Sequence, residues 1–198
     1  MSEPNLAALL VTSLAIMGSP GPATISLTAA GSAYGVRRSA GYLAGIIGGT
    51  WIVLVAVATG ITATLLAVPA MRSVLLAISA AYILWLAYHI ATAPALSSET
   101  ATSAAPSLAG GTVLGVTNPK GWVAIAAVFA SAHLADRATV DAAAKGAVLA
   151  AMVVLITTTW LLVGASLAPA LRDPTRSRIV NTVLAALLVA ATALAVLH

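Results

Sequence analysis

The sequence predicts an all-α integral membrane protein of about six transmembrane helices, built as two inverted three-helix repeats with discontinuous first and fourth helices. Three observations carry this. Hydrophobic residues make up 61% of the chain and charged residues 7%, against ~25% charged in a typical soluble domain. Apolar runs long enough to cross a ~30 Å hydrocarbon core recur along the 198 residues and leave no room for a soluble domain. Two of those runs are interrupted partway by the same device, a polar capping residue followed by proline, at Ser19-Pro20-Gly21-Pro22 and at Asn118-Pro119-Lys120.

Composition also excludes whole classes of function. The net charge of +4 is scattered, so it reads as membrane orientation rather than as a nucleic-acid footprint. Without cysteine there is no disulfide, thiol nucleophile or thiolate metal site. No basic segment precedes the first apolar run, so a cleaved signal peptide is not expected. No paired acids or clustered histidines fall in the spans, and neither a metal nor a cofactor is expected.

In the first span, Leu6 to Gly18 and Ala23 to Ala33 are apolar, with no charge between Asn5 and Val36. Together they run ~29 residues, or ~43 Å of helix, which places the break near mid-depth. Neither proline has an N–H, so the carbonyls of Ile16 and Gly18 lose their helical donors. Ser19 is expected to cap a new helix with Pro20 as its first residue. Broken backbone at that depth is tolerated only where it packs in protein or lines a cavity.

The first span is expected to end at Tyr34-Gly35, and after the basic pair Arg37-Arg38 a second span runs from about residue 39 to 66. Gly41, Gly45 and Gly49 share one face of it, and Gly31 and Gly35 extend the same spacing of four backwards; small residues at this spacing suit close helix packing. The same glycine faces are candidates for homo-oligomer contact. A third span covers about 71 to 93, with Tyr82, Trp85 and Tyr88 at its end as an interfacial group beside His89. Residues 94–107, rich in Ser, Thr, Ala and Pro, read as a polar linker. The fourth span, about 108 to 134, holds the second break and Lys120. Asp136, Arg137, Asp141 and Lys145 read as a mixed-charge loop near His133. The fifth span covers about 146 to 168; its Thr157, Thr158 and Thr159 are expected to bond back to their own helix. The sixth span, with Asn181, runs from about 179 to the end.

The halves echo each other. Pro20 and Pro119 lie 99 residues apart, and Val68-Pro69-Ala70-Met71-Arg72 resembles Ala168-Pro169-Ala170-Leu171-Arg172. Duplication of an odd number of spans forces the second copy into the membrane from the opposite side, the inverted-repeat plan of secondary transporters. Residues 1–93 then form one repeat, 94–107 the linker and 108–198 the second repeat. Loop Lys and Arg counts favour both termini outside, with Arg37, Arg38, Arg172, Arg176 and Arg178 inside.

These motifs resemble the LysE/RhtB family of bacterial amino-acid exporters. Pro20-Gly21-Pro22, Gly35 followed by a basic residue, the glycines at 41, 45 and 49, and Asn118-Pro119-Lys120 after Gly111 and Gly115 carry the likeness over nearly the whole chain. The resemblance implies efflux of amino acids or close derivatives across the bacterial inner membrane, and no enzymatic activity. Many members of that family have an acidic residue after the last glycine of the ladder, where this chain has Thr50.

The expected substrate site comprises Ser19, Pro20, Gly21, Pro22, Thr50, Asn118, Pro119 and Lys120. Two half-helix N-termini would face each other there, with Lys120 alongside, which suits a substrate carboxylate. The substrate's amino end would turn to the carbonyls that the breaks release, those of Ile16, Gly18 and Gly115. With no acidic residue in any span so drawn, a cationic side chain has no partner, so the cargo is expected to be a small neutral amino acid. The partners are then the lipid bilayer and this cargo. A small channel or ion exporter, and a structural membrane subunit, are the competing readings.

Overall fold

A computed structural model describes residues 3–60, 69–92, 105–167 and 173–197, and all regular structure among them is helical. In chain order the helices are α1 (Glu3–Met17), α2 (Pro22–Ala58), α3 (Pro69–Ala91), α4 (Leu108–Thr117), α5 (Pro119–Ala130), α6 (Ala138–Ser166) and α7 (Pro174–Leu197). By length and composition α2 and α6 can each cross a membrane, and α4 with α5, bent by 57°, can form a third span. Helices stop and restart at both proline motifs, because proline lacks the donor a continuous helix needs. Large apolar side chains such as Val11, Val55, Leu84, Val123 and Leu155 are exposed on the outer surface. Such a surface suits lipid, not water.

Helix α2 folds back on itself. Gly35 adopts φ 75°, ψ 168° within it, a conformation open essentially only to glycine. The Tyr42 hydroxyl donates to Ser26 Oγ at 3.1 Å, and Ser39 Oγ donates to the Ala30 carbonyl at 3.0 Å. Residues 26 and 42 of a straight helix would be ~24 Å apart. The corner at Gly35 therefore splits α2 into two antiparallel arms, residues 22–34 and 36–58. The second arm starts earlier than the sequence suggested, and Arg37 and Arg38 lie within its exposed first turn. Residues 61–66 of the expected second span lie outside the described residues.

The two arms of α2 organise the packing. The second arm meets α4 backbone to backbone: a Cβ added to Gly45 would stand 2.1 Å from the Leu108 carbonyl oxygen, and one on Gly111 would stand 2.2 Å from that of Tyr42. Gly49 and Gly115 continue this contact, whereas Gly41 lies at its edge, 4.0 Å from Leu108. The first arm meets α6 in the same way, with Gly164 against the Thr28 carbonyl and Gly31 against that of Leu161. Buried Ser26, Thr28 and Ser32 on this arm bond to carbonyls one turn back, which leaves no polar group of theirs unmatched. Helices α3 and α7 pair with each other. All of these contacts join residues before the 94–107 linker to residues after it.

Two apolar clusters result. One gathers Leu27, Tyr42, Ile46, Ile83, Leu114 and Leu161; the other gathers Leu9, Val53, Trp122, Ile125, Val128 and Leu149.

Two features of the second half correct the sequence reading. Asp141 and Lys145 are not in a loop: α6 begins at Ala138 and both side chains are buried. The charges are tolerated because they satisfy each other. Lys145 Nζ lies 2.7 Å from Asp141 Oδ2 and donates to the Ala132 carbonyl, while Asp141 Oδ1 accepts from Leu134 N at 2.6 Å. An acidic residue therefore lies in the first turn of α6, a helix that starts earlier than the fifth span expected from about residue 146. His133 is exposed, 3.6 Å from the same carboxylate. His89 stacks on Trp85 with ring centroids 4.3 Å apart.

Of the linker, only residues 105–107 are described; Ser107 caps α4 by accepting from Gly110 N at 3.1 Å. At α7, Asp173 takes the capping role. The N–H groups of Arg176 and Thr175 bond its carboxylate and hold its pKa below the usual range. The second copy of the repeated pentapeptide, residues 168–172, lies outside the described residues.

Candidate functional site

The first break is built differently from its expected form. Pro22, not Pro20, opens α2, and Gly21 takes the capping position in an extended conformation. Thr24 Oγ1 accepts from Gly21 N at 2.8 Å and donates to Gly21 O at 3.1 Å, closing the turn. Ser19 turns the other way: its hydroxyl donates to the Ile16 carbonyl at 2.8 Å and so finishes α1. Pro22 prevails because Thr24, three residues after Gly21, reaches back to the cap; no residue does this for Ser19.

The carbonyls expected to be free are partly taken. Ile16 O is held by Ser19, and Gly18 O accepts from Trp160 Nε1 of α6 at 3.1 Å. At the second break, Val116 O accepts from Trp122 Nε1 at 2.6 Å. Each break thus has a carbonyl closed by an indole N–H, a donor-only group well suited to an orphaned acceptor. The sequence reading missed both roles. The available signal was a tryptophan close after a proline break, or far from the chain's interfacial aromatic group.

The two breaks meet at one pocket of about 480 Å³, including its open mouth. Gly21, Ala23 and Thr24 from the start of α2 line it, opposite Asn118, Lys120 and Gly121 from the start of α5. Thr50 of the second α2 arm and Thr157 of α6 complete the polar lining, among Met17, Ile46, Val153 and Ile156. Among the described residues, no acidic side chain lines it. Thr157 bonds back to the Val153 carbonyl at 2.6 Å, and Thr159 does the same to Leu155 at 2.8 Å. Of the eight residues named for the site, Gly21, Thr50, Asn118 and Lys120 line the pocket, while Ser19 and Pro20 reach it through Lys120. Pro22 and Pro119 open the two helices at its wall.

Lys120 does not stand beside a vacant helix start. Its ammonium spans to the first break, donating to the carbonyl and hydroxyl of Ser19, the latter at 2.8 Å, and to the Pro20 carbonyl at 3.1 Å. Three acceptors match its three donors. Gly21 makes room for this: a Cβ there would sit 2.6 Å from Lys120 Cδ. Beside it, the Asn118 side chain is buried, yet its Oδ1 has no hydrogen-bond partner and it does not cap α5. A buried amide oxygen without a partner among the described residues, set in a pocket wall, is an acceptor open to a water or a ligand.

Broken helices that line a pocket beneath a lipid-suited surface define the class, a helical membrane protein. The chain belongs to the LysE type translocator family, whose profile matches residues 14–198. Among characterised relatives, it is similar to the cysteine/O-acetylserine efflux protein of Salmonella paratyphi A, with 40% identity over 91 residues. That stretch is 46% of this chain and 44% of the relative. The protein of that description from Salmonella choleraesuis is 41% identical over 87 residues, 43% of this chain and 42% of its own. The likeness therefore spans less than half the length of these relatives. No solved structure matches the chain.

Proposed function

We propose that this translocator exports a small neutral amino acid or close derivative across the bacterial inner membrane. The cargo's carboxylate is bound between the N-terminal turns of α2 and α5. The observation that carries this reading is the meeting of both helix starts at one pocket that, among the described residues, has no acidic side chain in its lining. First-turn N–H groups, such as those of Ala23 and Thr24, have no acceptor within their own helix, and the helix dipole favours an anion there. Asn118 Oδ1 can accept from the cargo's amino group. Relatives described as cysteine/O-acetylserine efflux proteins support a small polar cargo of this kind.

In this reading residues 1–93 and 108–198 are the two inverted repeats, joined by 94–107, and both termini are outside. The repeated order supports it: half-helix, break, half-helix, then longer helices, once in α1–α3 and again in α4–α7. A channel for small ions would instead need a pore lined by charge or by rings of carbonyls.

The test is efflux from vesicles preloaded with neutral, basic and acidic amino acids and their carboxamides. Free neutral acids are expected to leave at least about tenfold faster than their amides, in keeping with the loss of a charge-assisted hydrogen bond. Equal rates for acids and amides overturn the carboxylate site, and preference for lysine or arginine overturns the neutral cargo. Reporter fusions after Ser98 that prove periplasmic overturn the orientation.

A further inference from the structure

We infer that Lys120 is a tethered stand-in for the cargo's own ammonium group, seated in the cargo's amine subsite when the carrier is empty. The subsite consists of the Ser19 carbonyl, the Ser19 hydroxyl and the Pro20 carbonyl. This deepens the function proposed above, since it rests on an amino-acid cargo held at the same pocket.

The argument begins with the acceptors. The Ser19 and Pro20 carbonyls fall between the end of α1 at Met17 and the start of α2 at Pro22, so neither has a helical donor, and they lie just past the C-terminal end of α1, where the helix dipole favours a cation. Three oxygen acceptors converging on one –NH₃⁺ form an ammonium site by geometry alone. The cation that fills it comes from the other break, 100 or so positions away in sequence, on a flexible stem. Among the described residues no carboxylate lines the pocket, and the acceptors around Lys120 are dipoles rather than an ion-pair partner. An α-ammonium on an incoming amino acid offers the same three donors and the same charge. It can displace Lys120 one for one, with the acceptors satisfied before and after. The unmatched Asn118 Oδ1 in the same wall gives the displaced or incoming amine a further acceptor.

A consequence for the transport cycle follows. A carrier with unmatched oxygens in its centre reorients slowly, because buried acceptors without donors are costly. With Lys120 seated, the empty carrier has a filled site and can return without a co-transported cation. Loaded reorientation, in which cargo fills the subsite, does not need Lys120.

The experiment uses the purified full chain in proteoliposomes and compares net efflux, which needs the empty return, with exchange of labelled cargo for unlabelled cargo outside, which does not. For Lys120→Ala, net efflux is expected to fall at least about tenfold while exchange stays within about threefold of the parent. External propylammonium, which matches the removed stem and head, is expected to restore net efflux of this variant and to be carried inward as it does so. Lys120→Met keeps the stem's volume and serves for the same comparison if the alanine variant does not elute as a single species. Equal loss of net efflux and exchange in a monodisperse variant overturns the inference, as does full retention of both. An independent reading comes from the parent protein: its net efflux is expected to be unchanged when external sodium and potassium are replaced by choline. Dependence on either ion overturns the tethered cation. Equal transport of acids and amides would remove the carboxylate site yet leave the ratio of net efflux to exchange fully readable.

Discussion

Substituting Gly45 with alanine tests whether the α2–α4 contact sets the position of the second break. The added Cβ would stand 2.1 Å from the Leu108 carbonyl oxygen and 2.8 Å from Thr112 N. An ordinary close carbon–oxygen approach is ~3.3 Å, so the two backbones must part by roughly 1.2 Å. Helix α4 is short and ends at the break, so a shift of that size carries Asn118 and Lys120 with it. The hydrogen bonds of Lys120 at 2.8 and 3.1 Å cannot span such a shift without rearrangement. Overpacking of this kind costs about 1–3 kcal/mol. For a chain of this length, that corresponds to a fall in Tm of about 2–12 °C. The assay is thermal unfolding in detergent followed by tryptophan fluorescence, with efflux measured in parallel. Gly48→Ala is the internal control, because a Cβ at Gly48 meets nothing within 4 Å. That variant is expected to hold or raise Tm, since alanine favours the helix by about 0.5–1 kcal/mol. A Gly45→Ala protein that unfolds within 1 °C of the parent, with unchanged efflux, refutes the close contact.

Three further outcomes follow from the described contacts. Asp141→Ala leaves the Lys145 ammonium buried without its carboxylate and is expected to cost about 3–5 kcal/mol by thermal unfolding, with most of that recovered in Asp141→Leu/Lys145→Met. Trp160→Phe removes the donor to the Gly18 carbonyl while keeping most of the ring, so a loss of about 1–3 kcal/mol with a still-folded protein is expected in the same assay. Asn118→Leu removes a carboxamide oxygen with no internal partner; the half-saturating cargo concentration for efflux should rise about tenfold or more, with Tm little changed.

The two breaks were legible because proline chemistry is local: a missing N–H interrupts a helix whatever surrounds it. Which proline would open the helix was not. Pro20 and Pro22 both fit the first helical position, and the choice fell to the Thr24 hydroxyl reaching Gly21, a contact that forms only once the turn exists. The end of the first span at Tyr34-Gly35 was legible, and the break in α2 falls there; how tightly the chain turns was hidden for a related reason. Arg37 and Arg38 suggested an interfacial pause, but Ser39 and Tyr42 bond to the opposite arm and let the helix restart at once. Asp141 and Lys145 have the spacing of an intrahelical pair, yet their charge suggested water; their burial depends on Ala132 and Leu134 folding over them. Among the site residues, Lys120 stood out by its depth. Its partners did not, because they lie across the chain's midpoint and are set by tertiary packing.

The way the arms of α2 embrace helices from the far half bears on how the protein is made. Synthesis proceeds at about 5–20 residues per second, so α2 is complete for roughly 5–20 s before the last residue of α6 emerges. Through that interval the arm that carries Thr24, Ser26, Thr28 and Ser32 has no α6 to cover it, and the glycines at 45 and 49 have no α4. The nascent chain therefore passes through the insertion machinery with its future interior uncovered, and a chaperoning surface there has a defined target. The contacts that join the arms of α2 to α4 and α6, and α3 to α7, can form only after most of the polypeptide has been made.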